Sequence, residues 1–127
     1  MTPYVVATAV EYDLPCVWVV WNNFAWAAIR DIQVGMFGNR QLGTYFEKDK
    51  KRYNPDFAAW ARACGADGVT ITKSEDLAGA LQQAIRAKRP CVLDVHVDAE
   101  VRPPSTGTWQ LPPTPFKEPA FGKPWVA

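Results

Sequence analysis

Two adjacent asparagines, Asn22 and Asn23, follow the unbroken apolar run Cys16-Val17-Trp18-Val19-Val20-Trp21. An asparagine side-chain oxygen is a hard, neutral donor that suits Mg²⁺ and needs no deprotonation. A helix is predicted from Ala25 to about Val34, and the free N–H groups at a helix N-terminus attract anions. Strand, Asn-Asn, helix is therefore a place where a metal-bridged diphosphate could sit. The same residues also suit a plain turn or a helix cap.

Other residues able to do chemistry are sparse. Arg30, Asp31 and Gln33 follow on the same predicted helix. Arg30 could reach a substrate carboxylate or a second subunit, although a surface arginine is the expectation. His96 is the only histidine and lies in Asp94-Val95-His96-Val97-Asp98, a strand-like alternation that suits a structural role. No Ser or Cys motif stands ready to pair with it, so no triad is read. Neither a phosphate-binding P-loop nor a Gly-x-Gly-x-x-Gly is present. Cys16, Cys64 and Cys91 are odd in number and widely spaced, which argues against a disulfide framework and a zinc site. They are expected to be buried, inert thiols in a reduced, cytoplasmic setting.

The elements that position Asn22-Asn23 read as an alternation. Thr2-Pro3 suits a helix start, with Val5, Val6, Ala9 and Val10 at helical spacing and Asp13-Leu14-Pro15 as the break. The apolar run ending at Trp21 suits a parallel strand buried on both faces. Asn39 to Tyr53 reads as a long polar connection, with the charge run Glu47 to Arg52 as a solvated loop. Asn54-Pro55-Asp56 opens a helix that Gly65 closes. A strand follows over Gly68–Thr72. A helix from Ser74 carries Leu77, Leu81, Ala84 and Ile85 on one face, and a last strand spans Pro90–Val97. Helices alternating with strands imply an α/β fold, a parallel sheet with helices on both faces. Three strands are few for such a sheet, as if a piece were missing.

Residues 102–127 differ from residues 1–101. They hold seven of the eleven prolines, with Trp109, Phe116, Phe121 and Trp125 spaced among them. A Pro-rich extended arm that packs its aromatics on another subunit or domain is the expectation, with a disordered tail as the alternative. The composition, 48% hydrophobic and 21% charged, is that of a globular chain. A net charge of +1 makes nucleic acid and anionic membrane poor partners. No apolar run reaches the roughly 20 residues of a membrane helix, and no secretory signal is visible.

A wider pattern surrounds the asparagines. It comprises Ala9-Val10-Glu11-Tyr12-Asp13-Leu14-Pro15, the apolar strand, Asn22-Asn23, Gln33, Phe37, Arg40, Gly43-Thr44, Asn54-Pro55-Asp56-Phe57-Ala58, Ala61, Ala63 and Gly65-Ala66. From Met1 to about Val97 this resembles the thiamine-diphosphate-binding C-terminal domain of the acetolactate synthase and decarboxylase-like enzymes. The resemblance implies thiamine diphosphate and Mg²⁺ as cofactors. It implies Asn23 as a side-chain metal ligand and Ala25 as a backbone-carbonyl ligand. Asn22, Trp26, Ala27 and Ala28 would lie along the diphosphate and thiamine pocket. Family members often carry Gly where Ala27 stands.

The family's Gly-Asp-Gly, whose Asp is the charged metal ligand, is expected just upstream of Met1. Its catalytic Glu is expected in a separate N-terminal domain. On that expectation this chain carries no catalytic residue, holds the metal poorly and is inactive alone. A homo-oligomer or a companion chain would then complete the site. The implied activity is carboligation or decarboxylation of 2-oxo acids. Asn22 to Trp26 and Gly43-Thr44 are also similar to the sulfoacetaldehyde acetyltransferases. A non-catalytic accessory module from a truncated gene is the competing class.

Overall fold

A computed structural model describes residues 4–38 and 40–101. The elements run α1 (Val5–Glu11), β1 (Val17–Asn22), α2 (Ala27–Phe37), β2 (Glu47–Lys48), β3 (Lys51–Arg52), α3 (Phe57–Ala63), β4 (Asp67–Ile71), α4 (Ser74–Ala87) and β5 (Cys91–His96). Strands β1, β5 and β4 form a parallel sheet in that spatial order. Val17 to Asn22 align with Cys91 to His96, and Asp67 to Ile71 align with Cys91 to Val95.

The period-two alternation of the strands sorts the core into two faces. Val17, Val19, Cys91, Leu93, Val95 and Ile71 meet Leu77, Ala80, Leu81 and Ala84 of α4. That i, i+3, i+4, i+7 spacing is one stripe of a helix. On the other face Trp18, Val20 and Val92 meet Val6 and Val10 of α1, Phe57, Trp60 and Ala61 of α3, and Cys64 just after it. Helices thus cover both faces. The closest approach is at Gly68, where an added Cβ would lie 2.1 Å from the Ala58 carbonyl oxygen, so only glycine lets α3 reach the sheet. Gly65, at φ +86°, turns the chain out of α3 in the left-handed conformation that glycine adopts without strain.

Several expectations are corrected. The strand buried on both faces is β5, whose first five residues are all buried, and not β1. β1 lies at one side of the three-stranded sheet, and Trp21 at its end is 62% exposed. Cys91 is buried, but Cys64 is half-buried and Cys16, just before β1, is exposed. Ile85 points away from the α4 stripe and is exposed. α3 starts later than expected, because Asp56 is the cap and accepts from the Ala59 N–H at 2.7 Å. The charge run from Glu47 is a two-stranded hairpin. Asp49 and Lys50 both take positive φ, as the tight turns that match strand twist require. The Thr2-Pro3 helix start and the arm at 102–127 lie outside the described residues. Among the described residues no helix is long and apolar enough to cross a membrane.

Candidate functional site

Asn22 and Asn23 leave the sheet at the C-terminal end of β1, the edge where open α/β sheets bind ligands. Asn22 is buried, and its side chain is committed to the protein. Its amide nitrogen donates to Asp94 Oδ1 at 3.0 Å. Its oxygen accepts from the Phe24 N–H at 3.2 Å and from Asn54 Nδ2 at 2.7 Å. Both lone pairs of that oxygen are therefore in use. Asn22 ties β1 to β5 and to the loop that leads into α3.

Asn23 is held differently. Its Oδ1 accepts one bond, from the Ala25 N–H at 3.1 Å. Between them Phe24 takes φ +55°, a left-handed conformation that costs a non-glycine residue about 1–3 kcal/mol. The His96 and Phe24 rings meet in a T-shape with centres 4.9 Å apart, and His96 Nε2 lies 3.5 Å from the buried Asp94. The turn is thus braced by the last residue of β5. His96 packs behind the turn, at the same edge as the asparagines.

Ala25 is buried and forms an antiparallel bridge with Tyr45. The bridge is closed by Trp26 N–H to the Thr44 carbonyl at 2.8 Å and by Phe46 N–H to the Phe24 carbonyl at 3.0 Å. In that pattern Ala25 and Tyr45 are the pair that exchange no bonds, so the N–H and C=O of Ala25 both point away from Tyr45. The Ala25 N–H meets Asn23 Oδ1, so the Ala25 carbonyl lies on the side of that oxygen. No backbone N–H of the described residues donates to that carbonyl. Asn23 Oδ1 and the Ala25 carbonyl are two hard oxygens of the kind a divalent cation takes.

Trp26 is 62% exposed and meets Phe46 edge-on at 5.9 Å. It is the N-cap of α2 and carries no side-chain cap bond. The first bond of the helix runs from Arg30 N–H to the Trp26 carbonyl. The N–H groups of half-buried Ala27 and exposed Ala28 therefore stand at an uncapped helix start. α2 begins two residues later than expected because the backbone at Ala25 and Trp26 is engaged with residues 44–46.

Arg30 is not on the surface. Its side chain is 3% exposed and lies beneath Tyr45, with the guanidinium carbon 5.2 Å from the ring centre. Nη1 donates to the Tyr45 hydroxyl and to Glu100 Oε1 at 2.8 Å. Nη2 donates to the Ala99 carbonyl at 2.9 Å, and Asp31 Oδ1 lies 3.3 Å from both Nε and Nη2. Burial alone would lower the Arg30 pKa, but Tyr45, Asp31 and Glu100 outweigh it and the net shift is upward. The Tyr45 hydroxyl donates to Glu100, which draws the carboxyl below its usual range and raises the phenol above its own. Gln33, one turn further along α2, clamps the same segment through both Leu42 backbone groups and the buried Thr44.

Asp94, Asn54, Tyr45 and Glu100 were missed in the sequence. Asp94 had a signal: a lone acid inside an apolar strand run must be paired if that strand is buried. The other three reach the site from loops far along the chain, and local patterns carry no trace of such contacts.

The profile of the thiamine pyrophosphate enzyme, C-terminal TPP binding domain, matches residues 1–95. The chain belongs to this family. Its thiamine-diphosphate-binding character and its α/β fold follow, and the Asn22–Ala28 stretch lies inside the matched region. Three relatives illustrate the range. A putative thiamine pyrophosphate-containing protein of Bacillus subtilis is 38% identical over 79% of this chain and 16% of its own length. A sulfoacetaldehyde acetyltransferase of Alcaligenes xylosoxydans xylosoxydans is 30% identical over 78% of this chain and 16% of its own. The acetolactate synthase large subunit of Parasynechococcus marenigrum is 37% identical over 71% of this chain and 14% of its own. The matched chain therefore spans about one-sixth of these relatives.

Proposed function

We propose that this chain supplies the asparagine half of a Mg²⁺–thiamine diphosphate site in an acetolactate-synthase-like enzyme acting on 2-oxo acids. The observation that carries the reading is the Asn23–Phe24–Ala25 turn. It holds the Asn23 side-chain oxygen and the Ala25 carbonyl on one side, just ahead of an uncapped helix. Asn23 and Ala25 would bind the metal. The N–H groups of Ala27 and Ala28 would meet diphosphate oxygens, where backbone donors and the helix dipole favour negative charge. Trp26 would line the cofactor, and Asn22 would act from behind by fixing the turn. When bound, thiamine diphosphate would supply the carbanion chemistry that 2-oxo acids require, and the residues named here would hold and orient it.

Both proposed metal ligands are neutral, and a hard dication needs charged oxygens as well. Among the described residues no group of three or more His, Cys, Asp or Glu stands together to hold a metal. The reading takes the charge from the diphosphate and from residues of a companion chain or of another part of the same protein, and the chain alone is inactive. Exposed Ile29, Ile32, Met36 and Phe37 on α2 support assembly with a partner or a second copy. The setting is the cytoplasm, in keeping with free thiols.

The test is calorimetric titration of thiamine diphosphate with and without Mg²⁺, on the protein purified from its native host with whatever copurifies. Mg²⁺-dependent binding is the expected result, and its absence sinks the reading. A sulfoacetaldehyde acetyltransferase is the second reading, supported by the Asn22–Trp26 and Gly43-Thr44 stretches and the 30% identical relative. Turnover of sulfoacetaldehyde but not of 2-oxo acids would select it. Copurification of no partner, together with no cofactor binding, would select the non-catalytic module.

A further inference from the structure

We propose that Arg30 is a positioning residue for the metal-ligand turn, acting through Tyr45. This rests on the site reading above. Arg30 is the only side chain of α2 buried from solvent, and it is a charge. A charge is withdrawn from water only where hydrogen bonds replace the lost hydration. Every nitrogen of its guanidinium is engaged: Nε and Nη2 by Asp31, Nη1 by the Tyr45 hydroxyl and Glu100, and Nη2 again by the Ala99 carbonyl.

These partners belong to three pieces of chain. Residues 99 and 100 follow β5, Tyr45 faces Ala25 across the bridge, and Asp31 lies on α2, where the Arg30 backbone hydrogen-bonds back to Trp26. Arg30 thus grips Tyr45 from behind, and the backbone on either side of Tyr45, at Thr44 and Phe46, bonds to the backbone on either side of Ala25. The ligand turn carries a left-handed Phe24, a conformation that persists only while its surroundings hold it. Arg30 touches neither proposed metal ligand through its side chain, so its effect is on where the Ala25 carbonyl sits. Groups that orient ligands from behind typically cost about 10- to 100-fold in metal affinity when removed.

The test compares Arg30→Met, Tyr45→Phe and the pair with the wild type, in the protein from its native host. Mg²⁺ half-saturation at saturating thiamine diphosphate is read from calorimetry, beside the unfolding midpoint. Leu77→Ala in the α4 core serves as the control, since it lowers stability without touching the site. Arg30→Met is expected to raise the Mg²⁺ half-saturation concentration about tenfold or more. Tyr45→Phe keeps the ring and the bridge, and it should shift the same way by less. The pair should shift no further than Arg30→Met, because both act through one contact. A shift in Arg30→Met no larger than in Leu77→Ala would overturn the proposal. So would an unchanged Tyr45→Phe, which also decides the matter if Arg30→Met fails to fold. Absence of Mg²⁺-dependent binding in the wild type would instead bring down the site reading, and the inference with it.

Discussion

Strand β5 and helix α2 flank the Asn22–Asn23 turn, and they are held in opposite ways. The first five residues of β5 are buried, Leu93 completely, between α4 on one face and α1 and α3 on the other. α2 buries one side chain, a charged one, and leaves Ile29, Ile32, Met36 and Phe37 in solvent. Apolar contact on the β5 side is non-directional and spread over many residues. On the α2 side a few directional bonds through Arg30 and Gln33 fix the position of a loop. The first arrangement gives stability, and the second gives placement that depends on each bond.

Substitutions that separate these two kinds of support should differ in what they break. Leu93→Ala is the largest expected effect, about 2–5 kcal/mol of global stability, with the unfolding midpoint as the measurement. A loss confined to local opening near β5 would contradict the picture of one cooperative core.

That core was legible in the sequence. Leu77, Leu81 and Ala84 show their burial through helical spacing, although Ile85, read on the same face, is exposed, and residues 90–97 read as a strand but not as the one buried on both faces. β1 misled, since an apolar run looks the same at the side of a sheet as in its centre. Asn22-Asn23 was legible as a strand-to-helix junction. What each asparagine does was not, because the difference between them rests on Asp94, Asn54 and Tyr45, which are brought in by tertiary contacts. Arg30 misled for the same reason: nothing adjacent in sequence shows that Tyr45 and Glu100 will enclose it.

Asn22→Ala comes next in size. It strips the buried Asp94 of its amide donor and frees Asn54, so a loss of about 1–3 kcal/mol is expected in denaturant unfolding. Asp94→Asn in the same background should recover part of it, since a neutral amide is less costly to bury than a carboxylate. If Asn22→Ala proves neutral, the division between a structural Asn22 and a ligand Asn23 is wrong.

Asp56→Ala removes the α3 cap and should cost about 1 kcal/mol, read from the same unfolding curves. It should leave cofactor binding unchanged, because α3 packs on the sheet and touches the site only through the loop at Asn54.

The smallest effect is a pH dependence on the α2 side. The Tyr45 hydroxyl and Arg30 hold the Glu100 carboxyl below its usual range. Its contribution is therefore fully present above the ordinary carboxylate pKa and is lost as pH falls through the lowered native value. Amide exchange at residues 99–101 should speed up in that acid range, and Glu100→Gln should remove the dependence. Exchange that is equally pH-dependent in Glu100→Gln would show that Glu100 does not anchor the segment.

The central claim is that Asn23, and not its buried neighbour, is the side-chain metal ligand. It is tested most directly by Mg²⁺-dependent thiamine diphosphate binding of Asn23→Ala against wild type, in the protein isolated from its native host. The account predicts a folded Asn23→Ala protein whose Mg²⁺ half-saturation rises at least about tenfold, a single lost ligand outweighing any change behind it. A variant that binds Mg²⁺ and cofactor as tightly as wild type would contradict it.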